Sequence, residues 1–193
     1  MKPVVFLDRD GTLIEEVCFL RREENIKVFP ETPRALSLLR KAGFALIVIS
    51  NQSGVARGYL TEERVVELNR VVFNQLRMLG EVPDAFYYCP YHDNADLPEY
   101  RKDSHDRKPG TGLAEKASRE FEIDLRKSYS IGDKLADVGL ARNLGGKGVL
   151  LLTGHGRKER EKIDSDSDFV PDFIAENILV AAEWIVNDYS NKL

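Results

Sequence analysis

Five short apolar runs, rich in β-branched and aromatic residues, recur along the chain and are bounded by Gly, Pro, Asp or Asn. Runs of this length and composition are typical of strands that are buried in a sheet. The pattern therefore predicts five strands, at Pro3–Leu7, Phe44–Ser50, Ala85–Cys89, Lys127–Ile131 and Gly148–Leu152.

Segments with apolar residues at helical spacing separate these runs. Thr32 and Pro33 precede one such segment and Gly43 follows it, which predicts a helix with a capping Thr, a Pro in its first turn and a terminating Gly. A second helix is predicted to open at Thr61 and to continue for about five turns. Further helical patterns lie at Leu113–Phe121, Ala136–Leu144 and Ile174–Val186.

The alternation of strands and helices predicts the fold class. Strands joined through helices form parallel β–α–β units, so we expect an α/β protein with a doubly wound, Rossmann-like parallel sheet. The 193 residues fit one domain over residues 1–193. Two polar stretches interrupt the pattern. We interpret Pro90–Lys108 as a functional loop and Arg157–Asp168 as a solvated connection.

Composition and charge narrow the possible partners. The chain has 42% hydrophobic and 31% charged residues, typical of a folded globular protein, and a net charge of −4, opposite to the basic surface that binds nucleic acid. Neither nucleic acid nor a membrane is therefore an expected partner. No apolar run approaches the roughly 18 residues of a membrane span, and the first residues do not resemble a signal peptide. We expect a cytoplasmic monomer.

Polar residues cluster directly after the predicted strands. In open α/β sheets ligands bind at the carboxyl ends of the strands, so these residues are predicted to meet at one edge. They form four short segments: Asp8-Arg9-Asp10-Gly11-Thr12, Ser50-Asn51-Gln52, Arg107-Lys108-Pro109 and Gly132-Asp133-Lys134.

Three carboxylates at one edge predict a cation site. Carboxylates do not crowd into a cleft without a compensating cation, and hard oxygen ligands select Mg²⁺, which also binds phosphate. The residues therefore predict phosphoryl transfer, with Asp8 as the nucleophile of an aspartyl-phosphate mechanism and Asp10 as general acid and base. Asp133 is expected to complete the metal shell.

The remaining groups are predicted to bind the phosphoryl group and to orient residues or water next to the metal. Lys108 and the hydroxyl and amide of Ser50 and Asn51 are expected to bind the transferring oxygens. Asp137, one helical turn beyond Asp133, is expected to orient Lys134 or a metal-bound water.

Taken together, these motifs resemble those of the haloacid dehalogenase (HAD) superfamily of phosphatases, in the order and spacing usual for that family. Longer segments resemble its branch of D-glycero-D-manno-heptose 1,7-bisphosphate 7-phosphatases and histidinol-phosphatases, from residue 4 to about residue 155. These are Phe6–Thr12, Ser50–Gly58, Tyr87–Pro90, Arg107–Pro109 and Gly132–Lys134.

The resemblance implies roles for individual residues. Asp8, Asp10 through its backbone carbonyl, and Asp133 would bind Mg²⁺, and Ser50 and Lys108 would steady the phosphoryl group. The residues implied in substrate binding are Arg9, Glu16, Val17, Cys18, Phe19, Asn51, Gln52, Ser53, Arg107 and Lys134.

The implied reaction removes the C7 phosphate of heptose 1,7-bisphosphate and leaves the 1-phosphate, a precursor for lipopolysaccharide. Many HAD phosphatases carry an inserted cap domain. The spans from Asp8 to Ser50 and from Ser50 to Lys108 leave no length for one, so we expect a HAD-like core without a cap and an open pocket.

One segment departs from the resemblance. The family usually binds zinc through Cys-x-His before the lysine motif and Cys-x-Cys immediately ahead of it, whereas these positions here hold Cys89, Tyr91, Ser104 and Asp106. The favoured interpretation is a loop held by hydrogen bonds and packing. A substitute zinc site is the alternative, with candidate ligands Cys89, His92, His105 and Asp106.

Other functions remain open on the sequence. The same motifs serve histidinol-phosphatases, and a further small phosphorylated metabolite is also possible as substrate. A phospho-receiver signalling domain also places an Asp, a Ser or Thr, a Lys and Mg²⁺ on a doubly wound sheet. Asp10, two residues after the nucleophile, and the length of the chain argue against a receiver.

Overall fold

The computed structural model describes residues 1–164 and 168–191. Its centre is a sheet of six parallel strands in the order β3-β2-β1-β4-β5-β6. The predicted α/β, doubly wound, Rossmann-like parallel sheet is thereby confirmed. The strands are β1 (Lys2–Leu7), β2 (Ala45–Asn51), β3 (Ala85–Cys89), β4 (Ile123–Gly132), β5 (Lys147–Leu151) and β6 (Phe173–Ala175).

Helices cover both faces of this sheet. They are α1 (Thr32–Lys41), α2 (Glu62–Met78), α3 (Gly112–Phe121), α4 (Leu135–Leu144), α5 (Gly156–Arg160) and α6 (Ile178–Ser190), with two short 3₁₀ turns at Glu23–Asn25 and Pro98–Tyr100. Apolar residues of α1, α2 and α6 pack on one face and those of α3 and α4 on the other. Burial on both faces explains why β1 and β2 read as continuous apolar runs.

Two sequence predictions at helix starts are wrong. Thr32 does not cap α1: Glu31 precedes the helix, and the Thr32 hydroxyl instead donates to the Leu13 carbonyl oxygen at 3.0 Å. The predicted last helix began too early, because Ile174 pairs in the edge strand β6. Asn177 supplies the true start, since its side chain accepts hydrogen bonds from the backbone N–H groups of Leu179 and Val180.

Two other predicted segments have defined local structure. Thr61 caps α2 as predicted, with its hydroxyl accepting from the Arg64 backbone N–H at 3.3 Å. The predicted connection Arg157–Asp168 contains most of the short helix α5, and its residues 165–167 lie outside the described part of the chain. Within that described part, no helix is both long and apolar enough to span a membrane.

The order of the strands sets the position of the site. The chain proceeds outward from β1 to β2 and β3, then returns to place β4 on the other side of β1. Such a switch in direction opens a crevice at the carboxyl ends of the central strands. Residues 8–44 and 90–111 contain only short 3₁₀ turns and α1, so neither segment includes elements of a cap domain.

Candidate active site

The crevice between β1 and β4 holds a buried lysine among carboxylates. Lys108 lies in the loop before α3, and its Nζ lies 2.9 Å from Asp8 Oδ1, 2.5 Å from Asp137 Oδ1 and 2.6 Å from the Ile49 carbonyl oxygen. Asp8 follows β1 directly and Asp137 lies in the first turn of α4. All three side chains are nearly inaccessible to solvent, so their charges are balanced by one another.

The charges shift the pKa values of this group in opposite directions. Burial alone would raise the pKa of Asp8, but the nearby Lys108 and Lys134 outweigh it and hold the pKa below its usual value. Burial would lower the pKa of Lys108, yet Asp137 and Asp8 raise it. Asp8 is therefore ionised at neutral pH, as a carboxylate nucleophile requires.

Asp133 directly follows β4, and nearby cations do not fully balance the negative charge of its carboxylate. Burial, reinforced by the charge of Asp8, raises its pKa to about 8. Its Oδ2 accepts the backbone N–H of His155 at 2.8 Å, whereas its Oδ1 is buried without a hydrogen-bond partner. Such an orphaned buried oxygen indicates a missing ligand.

The backbone is shaped around that carboxylate. Gly11 has a φ of 74°, and a Cβ built on it or on Gly154 would collide with the Asp133 carboxylate. The Thr153 hydroxyl donates to the Gly11 carbonyl oxygen at 2.5 Å and ties the loop after β5 to the loop after β1. Only glycine fits both positions, so the two loops close tightly over Asp133.

The donor set fits a hard divalent cation. Asp8, Asp133 and Asp137 each place a carboxylate oxygen within 4.8 Å of the others. The pKa values of Asp133 and Asp137 are both raised by burial, and Asp133 has an unpartnered oxygen; Mg²⁺ would stabilise the ionised form of such a cluster. The sequence predicts Asp8, Asp133 and the backbone carbonyl of Asp10 as metal ligands. Asp137 is the third carboxylate of this cluster, and it pairs with Lys108 as Asp8 does.

Asp137 also determines how α4 begins. Its Oδ2 accepts the Lys134 backbone N–H at 3.1 Å and thereby caps the helix. Burial raises the pKa of Asp137 to about 6, although the charge of Lys108 opposes this shift. Asp137 thus holds both Lys108 and the backbone at Lys134, a more direct role than the expected one through Lys134 or a water.

Asp10 and Ser50 are joined by a polar network on the other side of Asp8. Gln52 donates from Nε2 to Asp10 Oδ2 and to Ser50 Oγ, both at 2.9 Å. Arg9 holds both oxygens of the Asp10 carboxylate, from Nε at 3.1 Å and from Nη2 at 2.7 Å. Asp10 remains 17% exposed and lines the pocket, so the network orients a group that substrate can reach.

Asn51 fixes the backbone position of Lys108. Its side-chain amide exchanges two hydrogen bonds with the backbone of Lys108, at 3.0 and 3.1 Å. The end of β2 is thereby joined to the loop before α3. The same residue borders the mouth of the site, so a substrate contact and this bond to Lys108 are compatible.

An open pocket of about 240 Å³ leads from the surface to this centre. Most residues that the sequence assigned to substrate binding line it. They are Glu16, Cys18, Phe19, Asn51, Gln52, Ser53 and Lys134, together with Asp10, Gly54 and His155. Burial lowers the pKa of Lys134, but Asp8 and Asp133 outweigh this effect and raise it, so a cation faces the pocket.

Three of the assigned residues lie elsewhere. Val17 packs against the main apolar core. The side chain of Arg107 donates to the Tyr91 carbonyl oxygen at 3.3 Å, on the loop side of the crevice. Arg9 is 1% exposed and its guanidinium is taken up by protein partners. The roles of these residues toward substrate stay predictions.

The four zinc candidates do not come together. Cys89 is buried and its Sγ faces the Tyr91 carbonyl oxygen at 3.9 Å. His92 contacts Asp93, and the exposed His105 contacts Glu115 at the start of α3. Among the described residues, the possible metal-binding groups include none of Cys89, His92, His105 and Asp106.

Sequence reasoning missed several supporting residues. Asn69, buried on α2, accepts a hydrogen bond from Arg9, and the backbone of Thr153–His155 encloses Asp133. The loop after β5 was open to prediction, because it also follows a strand at the carboxyl edge of the sheet. Asn69 gave no comparable signal, since one polar residue in a helical pattern usually faces solvent.

Comparisons with known proteins agree with this geometry. A family model for HAD-hydrolase-like proteins matches residues 105–181. D-glycero-D-manno-heptose-1,7-bisphosphate 7-phosphatase from Thermosynechococcus vestitus is 37% identical, over 95% of this chain and 95% of that protein. D-glycero-beta-D-manno-heptose-1,7-bisphosphate 7-phosphatase from Yersinia pestis is also 37% identical, over 98% of this chain and 92% of its own length.

A solved structure shows the same fold. The crystal structure of D,D-heptose 1,7-bisphosphate phosphatase from B. bronchiseptica, complexed with magnesium and phosphate, superposes with a TM-score of 0.80 at 24% identity. The match covers 96% of this chain and 99% of that chain, so no additional domain separates the two folds. The chain is a HAD phosphoric monoester hydrolase, and it belongs to the family of the D-glycero-D-manno-heptose-1,7-bisphosphate 7-phosphatases.

Proposed function

We propose that this protein is a Mg²⁺-dependent phosphatase that removes the C7 phosphate of D-glycero-D-manno-heptose 1,7-bisphosphate. One observation carries the chemistry: Asp8 is kept ionised by a buried lysine, beside a carboxylate, Asp133, that has an unpartnered oxygen. A carboxylate nucleophile, a fixed cation and a carboxylate oxygen that can bind a metal are the parts that phosphoryl transfer to a carboxylate requires. Relatives that cover nearly the whole chain support the substrate.

The first half-reaction forms an aspartyl-phosphate. A carboxylate oxygen of Asp8 attacks phosphorus, and the bond between phosphorus and the C7 oxygen breaks. Asp10 donates a proton to the departing alcohol, while Lys108 and Ser50 bind the phosphoryl oxygens. Mg²⁺, held by Asp8, Asp133 and the Asp10 carbonyl, would shield the negative charge that otherwise repels the nucleophile.

The second half-reaction returns the enzyme to its starting state. Asp10, now a carboxylate, takes a proton from water as the water oxygen attacks phosphorus, and the bond to Asp8 breaks. Inorganic phosphate and heptose 1-phosphate are the products. The 17% exposure of Asp10 allows both the alcohol and the water to reach it from the pocket.

The proposal includes a monomeric, cytoplasmic enzyme acting on a small phosphorylated metabolite. All side chains that it uses lie on one chain and meet in one crevice, so a second copy is not needed to complete the site. Lys134 at the mouth offers a cation to a second phosphate on the substrate.

A substrate comparison tests the proposal. Purified protein with Mg²⁺ is given both anomers of heptose 1,7-bisphosphate, histidinol phosphate and a panel of sugar phosphates, and released phosphate is measured. We expect kcat/KM for one heptose anomer to exceed that of the other classes by about 100-fold or more. Asp8→Asn should lower turnover about 10⁴-fold or more without loss of folding. A protein that prefers histidinol phosphate would refute the substrate, and one that releases no phosphate would refute the reaction.

A further inference from the structure

Arg9 occupies an unusual position for a residue next to a nucleophile. It is one of the largest fully buried side chains of the described chain, and all three of its guanidinium nitrogens have protein partners. Nε and Nη2 bind the Asp10 carboxylate, Nη2 also binds Gln52 Oε1 at 3.1 Å, and Nη1 binds Asn69 Oδ1 at 2.7 Å. These four bonds use four of the five N–H donors, so the buried guanidinium has neither the exposure nor the pair of free donors that would grip a substrate phosphate.

Asn69 shows that this arrangement is maintained against an energetic penalty. Its Oδ1 accepts from Arg9, but its Nδ2 is buried without a hydrogen-bond partner. A buried amide donor without a partner destabilises a protein, so an apolar side chain would pack more favourably on this face of α2. The acceptor that Asn69 gives to Arg9 is the feature that an apolar side chain lacks.

Gln52 joins the same arrangement to the phosphoryl site. Its Oε1 accepts from Arg9, while its Nε2 donates to Asp10 Oδ2 and to Ser50 Oγ. The amide orientation is fixed by these contacts, because the reversed amide would direct N–H groups at a guanidinium. Asp10 and Ser50, which act on opposite sides of the phosphorus–oxygen bond, are therefore held at a set separation by one side chain.

We infer that Arg9, Asn69 and Gln52 are positioning residues that hold the Asp10 carboxyl in place for proton transfer. The inference rests on the proposed phosphatase function and deepens it. Asn69 fixes the guanidinium from α2, the guanidinium grips both oxygens of Asp10, and Gln52 sets the distance to Ser50. None of the three needs to touch the substrate. A small displacement of a general acid has a large effect on proton transfer, because the transfer requires hydrogen-bond distance.

The leaving group provides a test that a merely structural role would not pass. A sugar alcohol departs only with a proton from Asp10, whereas p-nitrophenolate or the acetate of acetyl phosphate departs without one. The parameter kcat/KM reports the steps up to departure of the leaving group. A misplaced Asp10 therefore lowers kcat/KM for heptose bisphosphate much more than for p-nitrophenyl phosphate or acetyl phosphate.

Asn69→Leu is the principal variant, because it keeps the size of the side chain and removes the acceptor for Arg9. We expect kcat/KM for heptose bisphosphate to fall about 30-fold or more and that for the activated phosphates to change less than about threefold. Asn69→Asp keeps the acceptor and should restore most of the activity. Asn74→Leu, the same change at an exposed site of α2, is the matched control and should leave both substrates unaffected.

The second half-reaction gives an independent measurement. Asp10 also activates water, so Arg9→Met should show a burst of p-nitrophenol followed by slow turnover, as the aspartyl-phosphate accumulates. Equal losses on both classes of substrate, without a burst, would overturn the inference and assign the network to folding. Absence of phosphate release by the unsubstituted protein would instead refute the proposed function.

Discussion

Two regions of the chain that meet at Lys108 are held together by different forces. The catalytic centre consists of ionised groups, with Lys108 between Asp8 and Asp137, all buried. The loop that follows β3, residues 90–107, is instead held mainly by hydrogen bonds to backbone carbonyl oxygens. Arg101 binds the Ala95 carbonyl oxygen through two nitrogens at 2.7 and 2.9 Å, and the His92 N–H donates to the Tyr100 carbonyl oxygen.

The difference indicates which residues of such a site can be substituted independently of their neighbours. Removing one buried charge leaves its partner unpaired in a low dielectric, so the residues of the centre depend on one another. A hydrogen bond to a carbonyl oxygen is replaceable by another donor. The loop can therefore lack the family's usual zinc ligands while the centre remains complete.

The largest effect is expected when the central cation, Lys108, is removed, because this tests whether the two regions differ as described. Lys108→Met leaves Asp8 and Asp137 buried without their shared partner, and we expect the free energy of unfolding to fall by about 3–5 kcal/mol. Turnover should fall about 100-fold or more, since the phosphoryl oxygens also lose a donor. Urea denaturation and phosphate release measure the two effects. Lys158→Met, at an exposed lysine of α5, is the control, and equal stability of the two variants would contradict the prediction.

In the absence of Mg²⁺, we expect the free energy of unfolding to depend on pH through Asp133. Bound Mg²⁺ should remove this dependence. Metal-free folded protein keeps a proton on Asp133 up to about pH 8, whereas the unfolded chain releases it near pH 4. The folded state thus binds more protons across this range, so the free energy of unfolding falls as pH rises through it. We expect a loss of about 1–3 kcal/mol between roughly pH 5.5 and pH 8.5.

Denaturation with EDTA or with Mg²⁺ at both pH values measures this loss. Mg²⁺ binds the carboxylate and should abolish or reverse the decline. Asp133→Asn has no proton to lose at this position and should flatten the profile in EDTA. A metal-free protein with equal stability at both pH values would show that Asp133 is not held protonated.

A smaller effect is expected from a contact that anchors the loop. Glu62 at the start of α2 accepts hydrogen bonds from the Tyr88 and Tyr100 hydroxyls, at 2.9 and 3.1 Å. Glu62→Gln weakens both bonds by removing the charge, and we expect a loss of about 1 kcal/mol in unfolding free energy, measured by urea denaturation. Glu99→Gln on the same loop is the control. A loss as large as that of Lys108→Met would refute the distinction between the regions.

The smallest effect is expected from zinc. Because Cys89, His92, His105 and Asp106 form no metal-binding group among the described residues, chelator-treated protein reloaded with Mg²⁺ alone should recover full turnover and a melting temperature within about 1 °C of zinc-supplemented protein. Elemental analysis and thermal melts measure this. Retention of one zinc per chain, lost in Cys89→Ser, would contradict the prediction.

The sequence predicted the parts of the fold that depend on local pattern. Five strands and most helix positions follow from apolar periodicity, and the glycine at position 11 from its place after a strand. The predicted last helix includes Ile174 and Ala175 of the short strand β6, because Phe173, Ile174 and Ala175 continue the apolar spacing of α6. Only pairing with β5, a tertiary contact, distinguishes it.

The site divides in the same way. Residues that follow strands were found because topology brings strand ends together. The partners of those residues were not found. The hydrogen bonds of Arg9 to Asp10 and the burial of Asn69 are tertiary contacts, and they produce no recognisable spacing of residues along the sequence. Arg107 shows the converse: its adjacency to Lys108 predicts a place at the pocket, whereas the turns around it direct its side chain to the Tyr91 carbonyl oxygen.

Because the crevice has no cap, the substrate itself must displace water from the site. Enzymes with a lid expel solvent by closing it, whereas a mouth of this shape stays open throughout turnover. The body of the bound sugar, rather than a lid, must therefore displace water from the residues that line the pocket. Small esters that contact only the catalytic centre gain no binding energy from this lining, so we expect selectivity to depend on how much of the pocket the substrate fills.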